Sequence, residues 1–521
     1  MRVPLRLLAA VVAALPACAR PDPDSPPIAP APAPRAATAA RADAAAPGAV
    51  DRRSIVLVTI DTLRADHLGC YGYPRATSPR IDEVARRALV FERASTQWPT
   101  TGPSMASLIT STYGSTSGVM RWTMEQKVPR SYDLLTELLH EAGWQTLGVV
   151  ANFSLAPKFQ FDQGFDRFVV VDGAPADRVS AAARELMDAR DPGRPYFLWV
   201  HYLDPHAPYK PPPGFAEEFD GDALYAADER PPVPIDPAAE DASAQKTPGA
   251  SIGRIPAYAY LPGKDRVRDY VVRYDGDVRF LDHELGALLD WLREHADLDQ
   301  AILVVTSDHG EGLGEQNYYF EHGRFPYENC AHVPLLLVHP AWEPVRIAAP
   351  VGLIDVAPTL LEAVGLEPGW QFEGSSLLPW LRDGAREPDA RPVFTESGFT
   401  QAYDVSIRRG RHKLIRIGTR HISRLLTGRP YELYDLVADP GETRNLVDEL
   451  PDAFESLRAE LDAFVETAYA RKPPTDSEAA ALSDEERRIL IQQGYAHDKE
   501  HGAEGDRDHE RDLGADRRGG G

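Results

Sequence analysis

The chain has 521 residues, 43% hydrophobic and 26% charged, which excludes wholesale disorder and leaves room for two or three domains, or one large domain with appendages. Its 56 Lys+Arg against 79 Asp+Glu give a formal charge of −23. A surface that acidic excludes nucleic acid as a partner, because that affinity rests on phosphate neutralisation, and three cysteines exclude a disulfide scaffold.

The amino-terminal residues read as an export signal. Arg2 and Arg6 form a positive start, and Leu7–Leu15 is an apolar run too short to span a bilayer. The run ends in Leu15-Pro16-Ala17-Cys18, which resembles a bacterial lipobox, where the cysteine becomes the lipidated terminus. An ordinary signal would instead be cleaved near Ala17. The expectation is an exported protein held in the cell envelope, on the periplasmic side, by a lipid on Cys18. Residues 19–50 contain 13 alanines and 8 prolines without hydrophobic period, the composition of a stiff tether. No later run of about 18 apolar residues suggests a spanning helix, so the membrane is expected as a partner only through the lipid.

Ser54–Ile60, Thr146–Val150, Tyr196–Val200, Ala301–Thr306 and Val333–Val338 are short, largely uninterrupted apolar runs, the pattern of strands covered on both faces. Helical patterns lie between them, at Ser131–Ala142 and Val267–His295, and a further helix is expected to begin near Pro103. This alternation predicts an α/β fold with a mainly parallel sheet and helices on both faces. Ligands of such sheets bind at the carboxyl ends of strands. Asp61 follows a predicted strand directly, and Asp308 follows one after a single serine, so both carboxylates belong on that rim.

Residues 51–385 are expected to form the catalytic domain, with the Pro-, Ala- and acid-rich stretch 210–262 as a surface insertion serving as a lid. Residues 386–472 are expected to form a smaller α+β unit, closed by a helix from about Pro451 to Ala468. In 473–521, a short helix at Ser483–Gly494 precedes a charged, Gly-rich tail expected to be disordered. Cys70 and Cys330 are far apart in sequence and are expected to be buried free thiols.

Four segments carry the chemistry: VTIDTLRADHLGCYGY (58–73), TQWPTTGPSMASLITS (96–111), HYLDPHAPY (201–209) and VVTSDHGEGLGEQNYYFEHG (304–323). A lone aspartate at a strand end is ordinarily a helix cap. Here Asp308-His309 stands in a Gly-punctuated loop and Asp61 opens a segment of the same character. Together Asp61, Asp308 and His309 suit one divalent cation. Thr101 leads into a helix, where a hydroxyl is ordinarily a cap. The same place suits a metal-activated nucleophile, with backbone N–H groups facing an anion.

These segments, with YELYDLVADPGETRNL (431–446), resemble the sulfatase family of the alkaline phosphatase superfamily, in the family's order and across about residues 52–470. The resemblance implies a metal-centred α/β sandwich with a mixed, mainly parallel sheet and a small C-terminal α+β domain. It implies Asp61, Thr101, Asp308 and His309 as metal ligands, with Thr101 also the nucleophile. His206 and His322 match histidines that contact the transferred anion or the leaving group. Two-metal relatives use an Asp/His/His set, which falls here on Asp204, His206 and His322, so one or two ions are expected. His201, His332 and Glu321 are candidates for contacts behind the ligands, and Asn152 and Lys210 are further candidates. Trp98 is expected to pack, while Glu311, Glu315 and the acidic insertion are expected to face solvent.

The departures from the family are specific. Typical members carry Cys-x-Pro-x-Arg, whose cysteine is oxidised to formylglycine. The chain reads Thr101-Gly102-Pro103-Ser104-Met105, so threonine takes the nucleophile's place and methionine the arginine's. Ser117-Gly118 stands where the family has His-Gly. The ligand pairs of calcium sulfatases become Asp61-Thr62 and Asp308-His309, and an imidazole favours manganese or zinc over calcium. A hydrated aldehyde expels sulfate through its second hydroxyl. Threonine has one hydroxyl, so its covalent ester must be opened by attack at sulfur or phosphorus. Relatives with threonine here, nucleotide pyrophosphatases and lipoteichoic-acid synthases, act on phosphodiesters.

The sequence therefore predicts a metal-dependent hydrolase of sulfuric or phosphoric esters, leaning to phosphodiesters or phosphonate esters. Its substrate would be a small molecule, a glycan or a lipid head group. A phosphoglycerol- or phosphoethanolamine-type transferase would use the same residues, but such enzymes usually have several membrane helices. An inactive binding lipoprotein is disfavoured by the intact Asp61, Thr101, His206, Asp308, His309 and His322.

Overall fold

Every residue of Ile55–Ile60 is buried, and the side chains alternate between two cores: Val56, Val58 and Ile60 face one, Ile55 and Leu57 the other. This strand, β1, is covered on both sides, as its unbroken apolar run predicts. It lies within an eight-stranded sheet. The other strands are β2 (Leu89–Phe91), β3 (Gln145–Val150), β4 (Arg167–Val170), β5 (Tyr196–Tyr202), β6 (Ile302–Ser307), β7 (Leu335–Val338) and β8 (Val345–Ile347). Their spatial order is β8-β2-β7-β6-β1-β5-β3-β4. Strand β7 runs antiparallel to β2 and β6, and the remaining neighbours are parallel.

The structure is a computed structural model that describes residues 50–120, 126–219, 221–228, 230–236, 252–379, 391–399, 402–418, 428–470, 474–476, 479–483, 485, 486 and 489. The expected lipidation site Cys18, the tether before residue 50, the middle of the insertion, most of the 483–494 helix and the tail lie outside the described residues. No helix among the described residues is long and apolar enough to cross a membrane.

One face of the sheet is covered by α1 (Pro79–Ala85), α4 (Ala176–Asp188) and α5 (Val267–His295), the other by α2 (Thr101–Thr110), α3 (Leu135–Glu141) and α6 (Val356–Ala363). Helix α5 has the expected bounds. Helix α2 begins two residues before Pro103, since a proline in the first turn lacks only an N–H that has no intrahelical partner. Helix α3 starts at Leu135 rather than Ser131, because Ser131 gives its N–H and hydroxyl to Asp476. The single strand expected at Val333–Val338 is two. Pro334 cannot donate to a ladder, so His332–Val333 joins Ala94–Ser95 and Val351–Gly352 in a three-stranded sheet, and Leu335–Val338 joins the main one. Cys70 and Cys330 are free; Cys330 is buried and Cys70 half-buried.

A four-stranded antiparallel sheet follows: β9 (Val393–Phe399), β10 (Ala402–Arg409), β11 (His412–Arg416) and β12 (Tyr431–Asp435). Helix α7 (Pro451–Ala470) lays Leu457, Leu461 and Val465 on Val405, Ile407, Leu414 and Leu433. The opposite face presents Ile415, Ile417, Tyr434 and Leu436 to Tyr318, Phe325 and Tyr327. That face therefore backs the segment that carries His322.

A buried ion network joins the two parts. Glu328 Oε2 accepts from Arg408 at 2.6 Å and Oε1 from Lys413 at 2.9 Å, while Lys413 lies 3.0 Å from Glu442. Burial opposes the charge on Glu328, but Arg408 and Lys413 outweigh it and hold the carboxyl down, from 4.5 to about 2. The stabilisation this represents is complete above pH 4.5 and is lost as pH falls towards 2. Glu328→Gln leaves Arg408 and Lys413 short of a counter-charge, and is expected to cost about 3 kcal/mol at neutral pH. Urea unfolding at pH 7 and pH 3 checks this: the gap to wild type should narrow at pH 3, and an equal gap would refute the assignment.

Candidate active site

The strand register builds the rim. Thr59 is level with His201 and Thr306, and Ile60 with Tyr202 and Ser307, so Asp61, His201 and Asp308 meet at the carboxyl edge of β1, β5 and β6. Their ligand atoms all lie within 4.8 Å of one another. Thr101, at the first turn of α2, points into the same place. Its Oγ1 is 3.3 Å from Asp61 Oδ2 and 3.4 Å from His309 Nε2. His309 Nε2 is 3.6 Å from Asp61 Oδ1 and 3.5 Å from Asp308 Oδ2. All five side chains are fully buried.

These separations test whether the residues fit a divalent cation. Four donors held tetrahedrally at about 2.1 Å from one ion stand about 3.4 Å apart, close to the values above. Asp308 Oδ2 and His201 Nε2 are also buried without a hydrogen bond, a costly condition that a cation relieves. The donor set of Asp61, Thr101, Asp308 and His309 therefore fits, with His201 Nε2 beside it, 3.8 Å from Asp61 Oδ2.

Each ligand is aimed by its surroundings. His309 Nδ1 donates to the Gly310 carbonyl at 2.9 Å, which turns Nε2 inward. Residue 310 must be glycine, because a Cβ there would lie 2.2 Å from the Asn329 carbonyl oxygen. His201 Nδ1 is 2.8 Å from Thr59 Oγ1, which also accepts from the Trp199 indole. Asp308 Oδ1 accepts from the backbone N–H of His309 and of Thr62. Thr62 reaches it with φ of 57°, a real outlier for a β-branched residue and a mark of strain held at a site. Burial opposes charge on Asp61, but His206, His201 and His309 hold its carboxyl well below the ordinary range. Burial, and then the Asp61 charge, push Asp308 up, and burial pushes His309 down, towards the neutral form that ligates.

The remaining expected residues fall into distinct places. Asn152, just past β3, holds Nδ2 2.7 Å from Asp61 Oδ2 and 3.4 Å from Thr101 Oγ1, with its orientation fixed by Ser154 N donating to Oδ1. His322 lies between two imidazoles, its ring centroid 4.3 Å from His309 and 5.1 Å from His206. Asp204 is used elsewhere: its Oδ2 accepts from Ala176 N at the start of α4, and burial pushes its carboxyl up to about 6. Of the expected second metal set, the structure thus brings together His206 and His322. Lys210 is exposed, and His332 Nε2 bonds the Glu92 carbonyl. Trp98 is buried, as a packing residue should be, and Glu321 is buried as well. Met105 sits in the apolar core with Leu108 and Ile109.

Two acids read as solvent-facing are not. Glu311 is fully buried, with Oε1 3.3 Å from His322 Nδ1. Glu315 is half-buried and pairs with Arg64 at 2.9 Å, and the same Arg64 nitrogen donates to the Glu311 carbonyl oxygen. Both stand on the loop after β6. The rim rule that singled out Asp308 applies to them too, and charge alone was a poor guide to exposure.

Comparison with known proteins agrees with this architecture. A model of the family described as Sulfatase matches residues 53–366, and one described as N-sulphoglucosamine sulphohydrolase, C-terminal, matches 314–469. The N-acetylglucosamine-6-O-sulfatase of Bacteroides thetaiotaomicron is 23% identical over 476 residues, covering 76% of this chain and 82% of that protein. The choline-sulfatase of Rhizobium meliloti is 28% identical over 307 residues, 57% of this chain and 55% of that one. The solved structure of BT4656 in complex with its substrate D-glucosamine-2-N,6-O-disulfate shares the fold, with a TM-score of 0.65 at 21% identity, covering 82% of this chain and 100% of that one. The phosphonate monoester hydrolase of Agrobacterium radiobacter does so at 0.61 and 18% identity, covering 83% and 100%. With a family match over more than half its length, the chain belongs to the sulfatase family of the alkaline phosphatase superfamily and is an ester hydrolase.

Proposed function

We propose that the enzyme hydrolyses singly charged sulfuric or phosphoric esters through Thr101, with a preference for phosphodiesters and phosphonate monoesters. The observation that carries this is the Thr101 hydroxyl, buried at the first turn of α2 and within 3.4 Å of both Asp61 and His309. The shared fold does not choose between ester types, since neighbours include both a disulfated glucosamine complex and a phosphonate monoester hydrolase. Threonine weighs against the formylglycine route of typical sulfatases, because its single hydroxyl can be released only by attack at the central atom, as in the threonine-bearing relatives that act on phosphodiesters. Its neighbours Asp61, Asn152 and His309 carry no fixed positive charge, which disfavours a doubly charged phosphate monoester.

A divalent cation on Asp61, Thr101, Asp308 and His309, with manganese or zinc best suited to the imidazole, would supply Lewis acidity to the Thr101 hydroxyl and to an ester oxygen. Thr101 Oγ1, its proton released to solvent, attacks phosphorus or sulfur as the ester bond to the leaving oxygen breaks. Asn152 Nδ2, beside Oγ1, donates to the charge that develops. His206 and His322, packed together beside His309, are assigned to protonate the departing oxygen. Water then attacks the central atom of the Thr101 ester, giving a proton back to the histidine that served as acid, and the freed Oγ1 takes a proton from solvent to restore the hydroxyl. A panel of 4-nitrophenyl esters of sulfate, phosphate, phenyl phosphate and methylphosphonate tests the reading. The diester and phosphonate should give the highest kcat/KM and the phosphate monoester the lowest. Fastest turnover of the sulfate ester would overturn the preference, and turnover of none would overturn the hydrolase reading itself.

A further inference from the structure

The loop after β6 doubles back on itself before it delivers His322 to the site. Gly312 N donates to the Glu321 carbonyl at 3.0 Å, Phe320 N to the Gly312 carbonyl at 2.6 Å and Gly314 N to the Tyr318 carbonyl at 2.9 Å. Within it Gln316, Asn317 and Phe320 stand at positive φ, of 48°, 60° and 52°. Asparagine tolerates that region, but a bulky aromatic residue rarely enters it. Such backbone persists where its surroundings over-determine it.

The insertion supplies part of that support. On its returning end, Ile252 pairs with Tyr318, and Gly253 N donates to the Asn317 carbonyl at 2.9 Å. Further along, the Tyr258 hydroxyl donates to the Phe320 carbonyl. The Phe320 ring stacks on Tyr270 of α5, with centroids 4.2 Å apart and planes 15° from parallel. The Phe320 carbonyl belongs to the peptide that leads into Glu321 and His322. The carbonyl of His322 itself accepts from the Tyr318 hydroxyl at 2.7 Å. Tyrosine hydroxyls thus hold the main chain on both sides of the Glu321–His322 peptide, and one of them comes from the insertion.

We propose that the returning end of the insertion, 252–258, is a strap for this strained loop, with Tyr258 the positioning residue through which it sets where His322 stands. The inference rests on the role assigned to His322 in the proposed reaction. Tyr258 acts through the main chain. Its hydroxyl fixes the Phe320 peptide, that peptide fixes the approach to His322, and the ring keeps its place 4.3 Å from His309 and 5.1 Å from His206.

Tyr258→Phe removes one hydroxyl and keeps the ring. With the metal-reconstituted enzyme and 4-nitrophenyl phenyl phosphate, it is expected to lower kcat about 10-fold with KM little changed, because a displaced catalytic group costs rate rather than binding. In a His322→Ala background the same substitution should add nothing, since it acts through that residue. Amide hydrogen exchange reads the strap without turnover. The N–H groups of Gly312, Gly314 and Phe320 should exchange about 10-fold faster in Tyr258→Phe, while those of β1 keep their rates. Unchanged loop amides, or β1 amides quickened by the same factor, would overturn the proposal. So would a loss of kcat that persists without His322, or an intact kcat in Tyr258→Phe where His322→Ala is impaired. Normal turnover by His322→Ala would instead reject the role assigned to that ring, and loop exchange alone would then decide the strap.

Discussion

Thr101→Ala is expected to lower kcat towards the preferred esters by at least about 10³-fold while the protein stays folded. The hydroxyl is the group whose oxygen becomes bonded to phosphorus or sulfur, and alanine offers nothing in its place. The effect on stability should be small, about 1 kcal/mol, because one modest hydrogen-bonding group is lost. Thr101→Ser should retain part of the activity. It keeps the hydroxyl but loses the methyl group that restricts χ1, so the oxygen spends less time aimed between Asp61 and His309. Stereochemistry separates this from direct attack by water. Two displacements at a chiral phosphorus retain configuration, and one inverts it. Inversion together with appreciable turnover by Thr101→Ala would reject the covalent route and leave the family membership standing.

Much of this geometry was legible before any fold was seen, and the reason is local. Asp61 and Asp308 are read onto one rim because each ends an unbroken apolar strand, and the parallel register makes strand ends coincide. Asn152 and His201 obey the same rule less visibly. Asn152 stands two residues beyond β3, and His201 is a lone polar residue in the buried run of β5. What sequence could not supply was side-chain direction. Asp204 and His206 are two residues apart, yet one caps the start of α4 and the other packs on His322. Glu311 looked like surface because acids usually are. Its burial goes with long-range neighbours, Tyr209 from the segment after β5 and His322 from further along the chain, which no local pattern encodes. The division of Val333–Val338 was legible in principle, since Pro334 forbids a continuous ladder.

The second large effect concerns the cation. Dialysis against a chelator is expected to abolish turnover, with manganese or zinc restoring it better than calcium. Metal binding to the folded state alone should also raise the thermal midpoint, by an amount equivalent to about 4 kcal/mol at a thousandfold excess over Kd. The unloaded site explains why. Asp61 and Asp308 are both fully buried and close, and burial together with the Asp61 charge pushes the Asp308 carboxyl up, so the loop after β6 is held against electrostatic opposition until a cation arrives. Asp308→Asn removes a ligand and that opposition in one change of an atom. Its metal-free form should therefore melt at or above metal-free wild type, while added metal should move it far less and activity should stay lost. That pattern, stability rising as function falls, is expected where a site stores strain for its ligand. Full activity in protein shown by elemental analysis to be metal-free would reject the centre. Equal stabilisation of Asp308→Asn and wild type by added metal would reject Asp308 as a ligand, because an ion held without it must rest on other donors.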